Sequence, residues 1–314
     1  MNITIIDGYT VNPNDLSWES INQLGNLSCY DRTSPDKLLE RCENANVIIT
    51  KNVFISAELM DKCPHLQMIT ITATGFNCVD TEAAKQRNII VCNVPDYSTN
   101  AVAQHTFSLL LELSNSVGKY TEGVRNGNWS KSIDFCYQLN NIYEIAGKTL
   151  GIVGYGNIGK KVGQIAKAFD MTVIFCGSRN QNRVGETTIE NLFSQSDFIT
   201  LHCPQTTDNK GFVNASLLNT MKPSSFLINT ARGTLINEND LADALNKGIL
   251  AGAGLDVLSQ EPPSSSHSLI NAKNCLITPH IAWISYEARQ RIIDVTTQNI
   301  KGLLSGNIIN QVNK

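Results

Sequence analysis

Several features are missing from this sequence of 314 residues, and each absence removes a class of function. No run of about 18 apolar residues occurs, so no segment is suited to span a bilayer as a helix. Basic residues are not in excess. Twenty-five Lys and Arg face 28 Asp and Glu, and a formal charge of −3 gives no footprint for nucleic-acid binding. No CxxC pair exists among the nine cysteines, which are odd in number and scattered from Cys29 to Cys275. Zinc knuckles and thioredoxin-type redox motifs are therefore unsupported, and no metal site is indicated. Several cysteines sit in apolar runs, Cys92 in IIVCNV and Cys176 in TVIFC, which reads as buried reduced thiols. The opening MNITIIDGYT has no basic stretch ahead of a long apolar run, so it does not read as a secretory signal and the cytoplasm is expected. Linkers rich in Pro, Gly or Ser are also lacking.

What is present is alternation. With 42% hydrophobic residues the chain is long enough for two domains, each with its own core. Short apolar runs read as strands at Ile3–Ile6, Val47–Thr50, Gln67–Thr72, Ile89–Cys92, Thr149–Val153, Thr172–Cys176, Phe198–Leu201, Ser225–Asn229, Ala251–Leu255 and Cys275–Thr278. Many are apolar on both faces, as strands covered on both sides must be. Amphipathic segments such as Glu58–Lys62, Glu82–Arg87, Lys161–Phe169 and Asn239–Lys247 lie between them. This is the pattern of an α/β chain with doubly wound parallel sheets. Two longer helical stretches stand apart, Ala101–Ser116 behind the caps Ser98 and Thr99, and Tyr286–Ser305 ending at the C-cap Gly306. Read as helices crossing between domains, they imply a discontinuous domain, 1–99 with 284–314, and a continuous one, 100–283.

Gly154-x-Gly156-x-x-Gly159 follows the apolar strand Thr149–Val153 and opens a helix with the core face Ile158, Val162, Ile165, Ala166 and Phe169. Alone, such a fingerprint is also met in plain glycine-rich turns. In this strand–turn–helix context it reads as a dinucleotide site, with the amides of Asn157 and Ile158 at the positive helix end facing the phosphates. The next strand runs into Gly177-Ser178-Arg179, without the acid that takes the ribose hydroxyls in NAD-type sites. A hydroxyl and a guanidinium suit a 2′-phosphate, which favours NADP(H) over NAD(H). A solvated Arg179 stacked on adenine is the alternative.

Three further segments end in reactive side chains just beyond strand ends, where open α/β sheets place their ligands. They are Ile228–Gly233 with Arg232, Gly252–Pro262 with Asp256 and Glu261, and Ile277–Trp283 with His280. Singly, each has an ordinary structural explanation, and a His after Pro is commonly a loop residue. Together they fit reduction of a small 2-keto acid. Arg232 would clamp the carboxylate and polarise the carbonyl. His280 would exchange the proton, oriented by Glu261, and Asp256 would face the nicotinamide carboxamide.

Thr72–Asp80, Val94–His105, Asp134–Tyr137, Glu144–Leu150, Gly154–Gly159, Asn229–Gly233, Gly254–Pro262 and Thr278–Trp283 together resemble the D-isomer-specific 2-hydroxyacid dehydrogenases. The hydroxypyruvate reductase, or glycerate dehydrogenase, branch is the nearest in pattern. The resemblance implies two Rossmann-like domains, a flavodoxin-like substrate domain and a dinucleotide domain, with the active site in their cleft. It implies Arg232, Glu261 and His280 as the catalytic set, and substrate contacts from Thr74, Gly75 and Lys51. Cofactor contacts at Thr106, Cys203, Pro204, Ala231 and Asp256, and a homodimer, are implied as well. Three departures stand out: Gln138 where the branch carries Trp, Lys51-Asn52 where it carries Asn-Lys, and Asp170 where it carries Gly. The competing identities are a non-catalytic dinucleotide-sensing corepressor, a formate dehydrogenase, which pairs its His with Gln, and an unrelated GxGxxG protein such as a methyltransferase.

Overall fold

The computed structural model describes residues 1–177 and 183–314. They form two compact units, Met1–Ser98 with Ile284–Lys314, and Thr99–Trp283. In the first, β1 (Asn2–Ile5), α1 (Glu19–Asn22), β2 (Asn26–Cys29), α2 (Pro35–Cys42), β3 (Val47–Thr50), α3 (Ala57–Asp61), β4 (Met68–Ile71), α4 (Thr81–Gln86) and β5 (Ile90–Cys92) alternate. The strands form one parallel sheet in the order β2-β1-β3-β4-β5. That is the flavodoxin-like winding, whose order reverses between β1 and β3.

The second unit starts with α5 (Thr99–Asn115) and α6 (Val117–Arg125). It continues through β6 (Thr149–Val153), α7 (Asn157–Ala168), β7 (Thr172–Cys176), α8 (Ile189–Gln195), β8 (Phe198–Leu201) and α9 (Ala215–Leu218), then β9 (Phe226–Asn229), α10 (Glu238–Lys247), β10 (Gly252–Leu255) and β11 (Cys275–Ile277). Its six strands run parallel in the order β11-β10-β9-β8-β6-β7, reversing between β6 and β8. Period-two alternation splits each strand between two cores. Ile199, Leu201 and Leu227 face one cluster with Leu241 and Leu245 of α10. Phe198, Phe226 and Ile228 face the other with Phe107 of α5 and Val162 of α7.

The chain closes with α11 (Tyr286–Ser305), which belongs to the first unit. Its buried Arg289 meets both oxygens of Asp15 at 2.6 Å and donates to the Val11 carbonyl at 3.1 Å. Asn299 donates to Thr70 at 3.2 Å, and Gly306 ends the helix in the left-handed conformation at φ 74°.

The expected strands all form, most within one residue of the expected ends. The structure adds β2, whose sequence NLSC is largely exposed and carries no apolar alternation. As an edge strand it is held by backbone bonds, Asn26 N–H to the Met1 carbonyl at 2.8 Å and Tyr30 N–H to the Ile5 carbonyl at 2.9 Å. It also corrects the helix expected at Ala101–Ser116. That helix starts two residues earlier, and Ser116 at φ 53° turns the chain into α6. Nor are all thiols buried, since Cys29 and Cys136 are exposed. Among the buried ones, burial pushes Cys42 up to about 12 and Cys92 up to about 11, so neither is a thiolate near neutral pH. Asp170 sits at φ 57°, a left-handed position where the family's Gly is the unstrained choice. No described helix is long and apolar enough to cross a membrane.

Candidate active site

Gly154 ends β6 at φ 92°, and a Cβ there would lie 2.5 Å from the Cys203 nitrogen. Any side chain would therefore push apart the β6 and β8 ends at the reversal point of the sheet. A Cβ on Gly159 would lie 2.2 Å from the Gly154 carbonyl oxygen, so α7 packs onto the turn only because that atom is missing. Gly156 differs, because a Cβ there meets nothing within 4 Å. It is the N-cap of α7, and no side chain caps the helix from it. An open approach beside the first amides of a twelve-residue helix fits a pyrophosphate. Cys203 and Pro204 come just after β8, one residue beyond its end.

Beside them is a group that sequence reading missed. The ring nitrogens of His202 are buried without a protein partner among the described residues, and burial pushes its pKa down to about 3. A neutral imidazole thus backs the turn, which keeps the positive end of α7 free of a repelling charge. Gly177 ends the segment after β7 and is exposed. Ser178 and Arg179, read from the sequence as cofactor residues, lie outside the described residues.

Arg232, Glu261 and His280 follow β9, β10 and β11, three adjacent strands. The turn bearing Arg232 is stapled by the buried Asn229. Its Oδ1 accepts the Ala231 amide at 2.9 Å and its Nδ2 donates to the Arg232 carbonyl at 2.8 Å. Behind that turn lies Thr106 of α5, completely buried, its hydroxyl on the Val102 carbonyl at 2.8 Å and 3.1 Å from the Thr230 hydroxyl. The Arg232 side chain is exposed, with Nη1 on the Ala231 carbonyl at 2.7 Å.

His280 Nδ1 lies 2.6 Å from Glu261 Oε2, with the two side chains 41% and 35% exposed. Glu261 Oε1 accepts the Leu258 amide at 2.9 Å. Burial pushes the Glu261 carboxyl up, but the bonds from His280 and Leu258 outweigh it and hold the group below its usual range. With a carboxylate on Nδ1, Nε2 is the nitrogen left to exchange a proton.

His280 has φ 54°, a backbone cost of about 1–2 kcal/mol for a residue with a Cβ. Asp256 supplies the compensation. Its carbonyl accepts the His280 amide at 2.8 Å. Its buried carboxylate takes the Thr278 hydroxyl at 2.6 Å, the Ile281 amide at 2.9 Å and the Ala282 amide at 2.8 Å. His105 of α5 stands 3.4 Å from the same carboxylate and 2.9 Å from the Thr278 hydroxyl. Burial again pushes this carboxyl up, and the bonds from His105, Thr278, Ala282 and Ile281 together bring it below its usual value. Asp256, expected from the sequence at the nicotinamide carboxamide, uses both its oxygens to hold the His280 loop.

A profile of the D-isomer specific 2-hydroxyacid dehydrogenase NAD-binding domain matches residues 107–282, which include the glycine turn, Arg232, Glu261 and His280. The chain belongs to this family. Its 2-hydroxyacid dehydrogenase fold holds over the whole length: it is 40% identical to a hydroxypyruvate reductase of Blautia hydrogenotrophica, covering 100% of both chains. It is also 40% identical to a glycerate dehydrogenase of Methylorubrum extorquens over 88% of each. Among solved structures it matches an acyclic imino acid reductase in complex with NADPH and D-Arg. That likeness has a TM-score of 0.87 at 32% identity, over 99% of this chain and 100% of that one. The dehydrogenase binds a nicotinamide dinucleotide.

Three residues expected at the substrate lie in the first unit. Lys51, after β3, is buried and donates from Nζ to the Thr72 carbonyl at 2.8 Å and to the Tyr97 hydroxyl at 3.4 Å. Thr74 and Gly75 are exposed, with the Thr74 hydroxyl on the Val94 carbonyl at 3.0 Å. Both sets follow strands at the β1/β3 reversal or beside it.

Proposed function

We propose that this dehydrogenase reduces a small 2-keto acid, hydroxypyruvate or glyoxylate, to the 2-hydroxy acid, with Arg232, Glu261 and His280 as its working groups. The Glu261–His280 bond, fixed in a left-handed loop by Asp256, is the observation that carries this reading. Gly154, Gly156, Gly159 and the amides of Asn157 and Ile158 would hold the pyrophosphate. Cys203, Pro204, Ala231 and Asp256 would line the rest of the cofactor site, braced from below by Thr106. When bound, the nicotinamide supplies the hydride that reduces the keto carbon. Arg232 binds the carboxylate and draws charge toward the carbonyl oxygen, a planar two-point contact. His280 gives its Nε2 proton to that oxygen in reduction and takes it back in oxidation. Glu261 fixes the ring's orientation through Nδ1. Lys51, Thr74 and Gly75 are assigned to the substrate as part of the same reading.

The absence of an acid at Gly177 supports NADP(H), since a carboxylate there would repel a 2′-phosphate, and the imino acid reductase above holds NADPH. A steady-state screen of hydroxypyruvate, glyoxylate, pyruvate and a branched 2-keto acid with both cofactors tests the assignment. The two small acids should turn over, with kcat/KM higher for NADPH than for NADH. Turnover of none of the acids would refute the substrate assignment, and equal kcat/KM with the two cofactors would refute the NADP(H) preference.

We infer in addition that the chain is a homodimer. The segment after α6 exposes Trp129 at 52%, Ile133 at 102%, Phe135 at 90% and Ile142 at 54%, more apolar surface than one stretch of a monomer usually leaves to water. Light scattering should give twice the chain mass; a single-chain mass at micromolar concentration overturns the inference.

A further inference from the structure

Glu238 opens α10 but sends its carboxylate out of the helix to the loop that follows β10. Oε1 accepts the Ser259 amide at 2.7 Å, and Oε2 accepts the Ser259 hydroxyl in a short bond. Oε2 also lies 3.2 Å from His267 Nε2. The Leu269 amide points at His267 Nδ1 from 3.3 Å, so Nδ1 is an acceptor there and Nε2 carries the proton given to Glu238. That tautomer satisfies both neighbours. The His267 and Glu238 side chains are only 14% and 13% exposed. One carboxylate therefore pins residues 259 and 267 together, and Glu261 lies on the loop between them.

The pinned segment also reaches the Arg232 turn. A Cβ on Gly233 would sit 1.9 Å from the Leu258 carbonyl carbon and 2.3 Å from the Ser259 nitrogen. The backbones of Gly233, next to Arg232, and of Leu258-Ser259 are thus in direct contact. Leu258 in turn gives its amide to Glu261. A helix-dipole role for Glu238 would need only its charge near the first turn. The three bonds to another loop exceed what that role requires.

We propose that Glu238, with Ser259 and His267, is a positioning clamp that keeps the Glu261–His280 pair in register with the Arg232 turn. Its kinetic consequence rests on the dehydrogenase reading above; its geometric one does not. Glu238→Gln keeps an acceptor for the Ser259 amide but loses the acceptor for Ser259 Oγ and His267 Nε2. The Nδ1–H resonance of His280, followed by NMR in wild type and variant, should then move upfield as Glu261 drifts from Nδ1 and the hydrogen bond lengthens. Reduction should slow about tenfold in kcat, with dinucleotide Kd within about twofold, because the glycine turn is untouched. Ser259→Ala, which spares the amide, should give a smaller change in the same direction. An unmoved His280 Nδ1–H resonance with normal kcat, even if Tm falls, overturns the clamp and leaves Glu238 a stability residue. Should the wild type reduce no keto acid, the substrate assignment fails, and the His280 Nδ1–H resonance alone still decides the clamp.

Discussion

Replacing His280 by Ala should lower kcat for keto-acid reduction by ~10²–10⁴-fold, the range that a positioned proton donor contributes. Dinucleotide affinity stays near that of wild type, because the turn at Gly154–Gly159 has no contact through this side chain. The pH profile refines the expectation. Reduction needs the ring protonated and oxidation needs it neutral, so the reductive rate falls on the alkaline side. The bonds that hold the Glu261 carboxyl below its usual range include one from His280. Glu261→Gln should also lower kcat for reduction, because the ring loses the carboxylate that orients it. The sign for stability is the usual one for a depressed carboxyl. Its contribution is present above the unfolded carboxylate range and is lost as pH falls through the folded value. Stopped-flow turnover of His280→Ala decides the matter: a near-normal rate refutes the assignment.

Arg232→Ala is expected to lower kcat/KM for the keto acid by roughly 10²–10⁴-fold, since two charge-assisted hydrogen bonds at about 1.5–3 kcal/mol each are lost. The loss should fall on both parameters, because the carboxylate contact acts in the ground state and the carbonyl contact strengthens as charge develops. Arg232→Lys should recover little, as a point charge cannot make the planar two-point contact. Asn229 holds this turn through its main chain on either side of Arg232, so neither substitution should disturb the fold. Circular dichroism with a matched dinucleotide Kd checks that premise. A Lys variant at wild-type kcat/KM would show that charge alone suffices.

How much of this was legible in the sequence depended on whether the deciding force was local. The buried strands announced themselves because both faces are apolar, so Val47–Thr50 and Phe198–Leu201 form where expected. Strand β2 gave no such signal, being an exposed edge defined by its neighbour's backbone. The glycine fingerprint was readable because a turn and a helix start constrain composition at fixed offsets. What Asp256 holds was not readable, because Thr278, Ile281 and Ala282 reach it only when β10 and β11 pair. His105 comes to the same carboxylate from α5, some 150 positions away in sequence by its numbering against 256. His202 was passed over for a related reason: no pattern distinguishes a buried neutral imidazole from an exposed one.

The placement of α11 has a consequence for how the molecule is made. A ribosome delivers the chain in order, and domains generally fold as units while it emerges. All of Thr99–Trp283 is contiguous, so the second unit has every strand of its sheet before α11 appears. The first unit is synthesised earlier but completed later. Until Arg289 arrives, Asp15 has no guanidinium, and until Asn299 and Ile300 arrive, the face around Thr70 is uncovered. The nascent protein therefore carries a five-stranded sheet that still lacks its last helix throughout synthesis of the other unit.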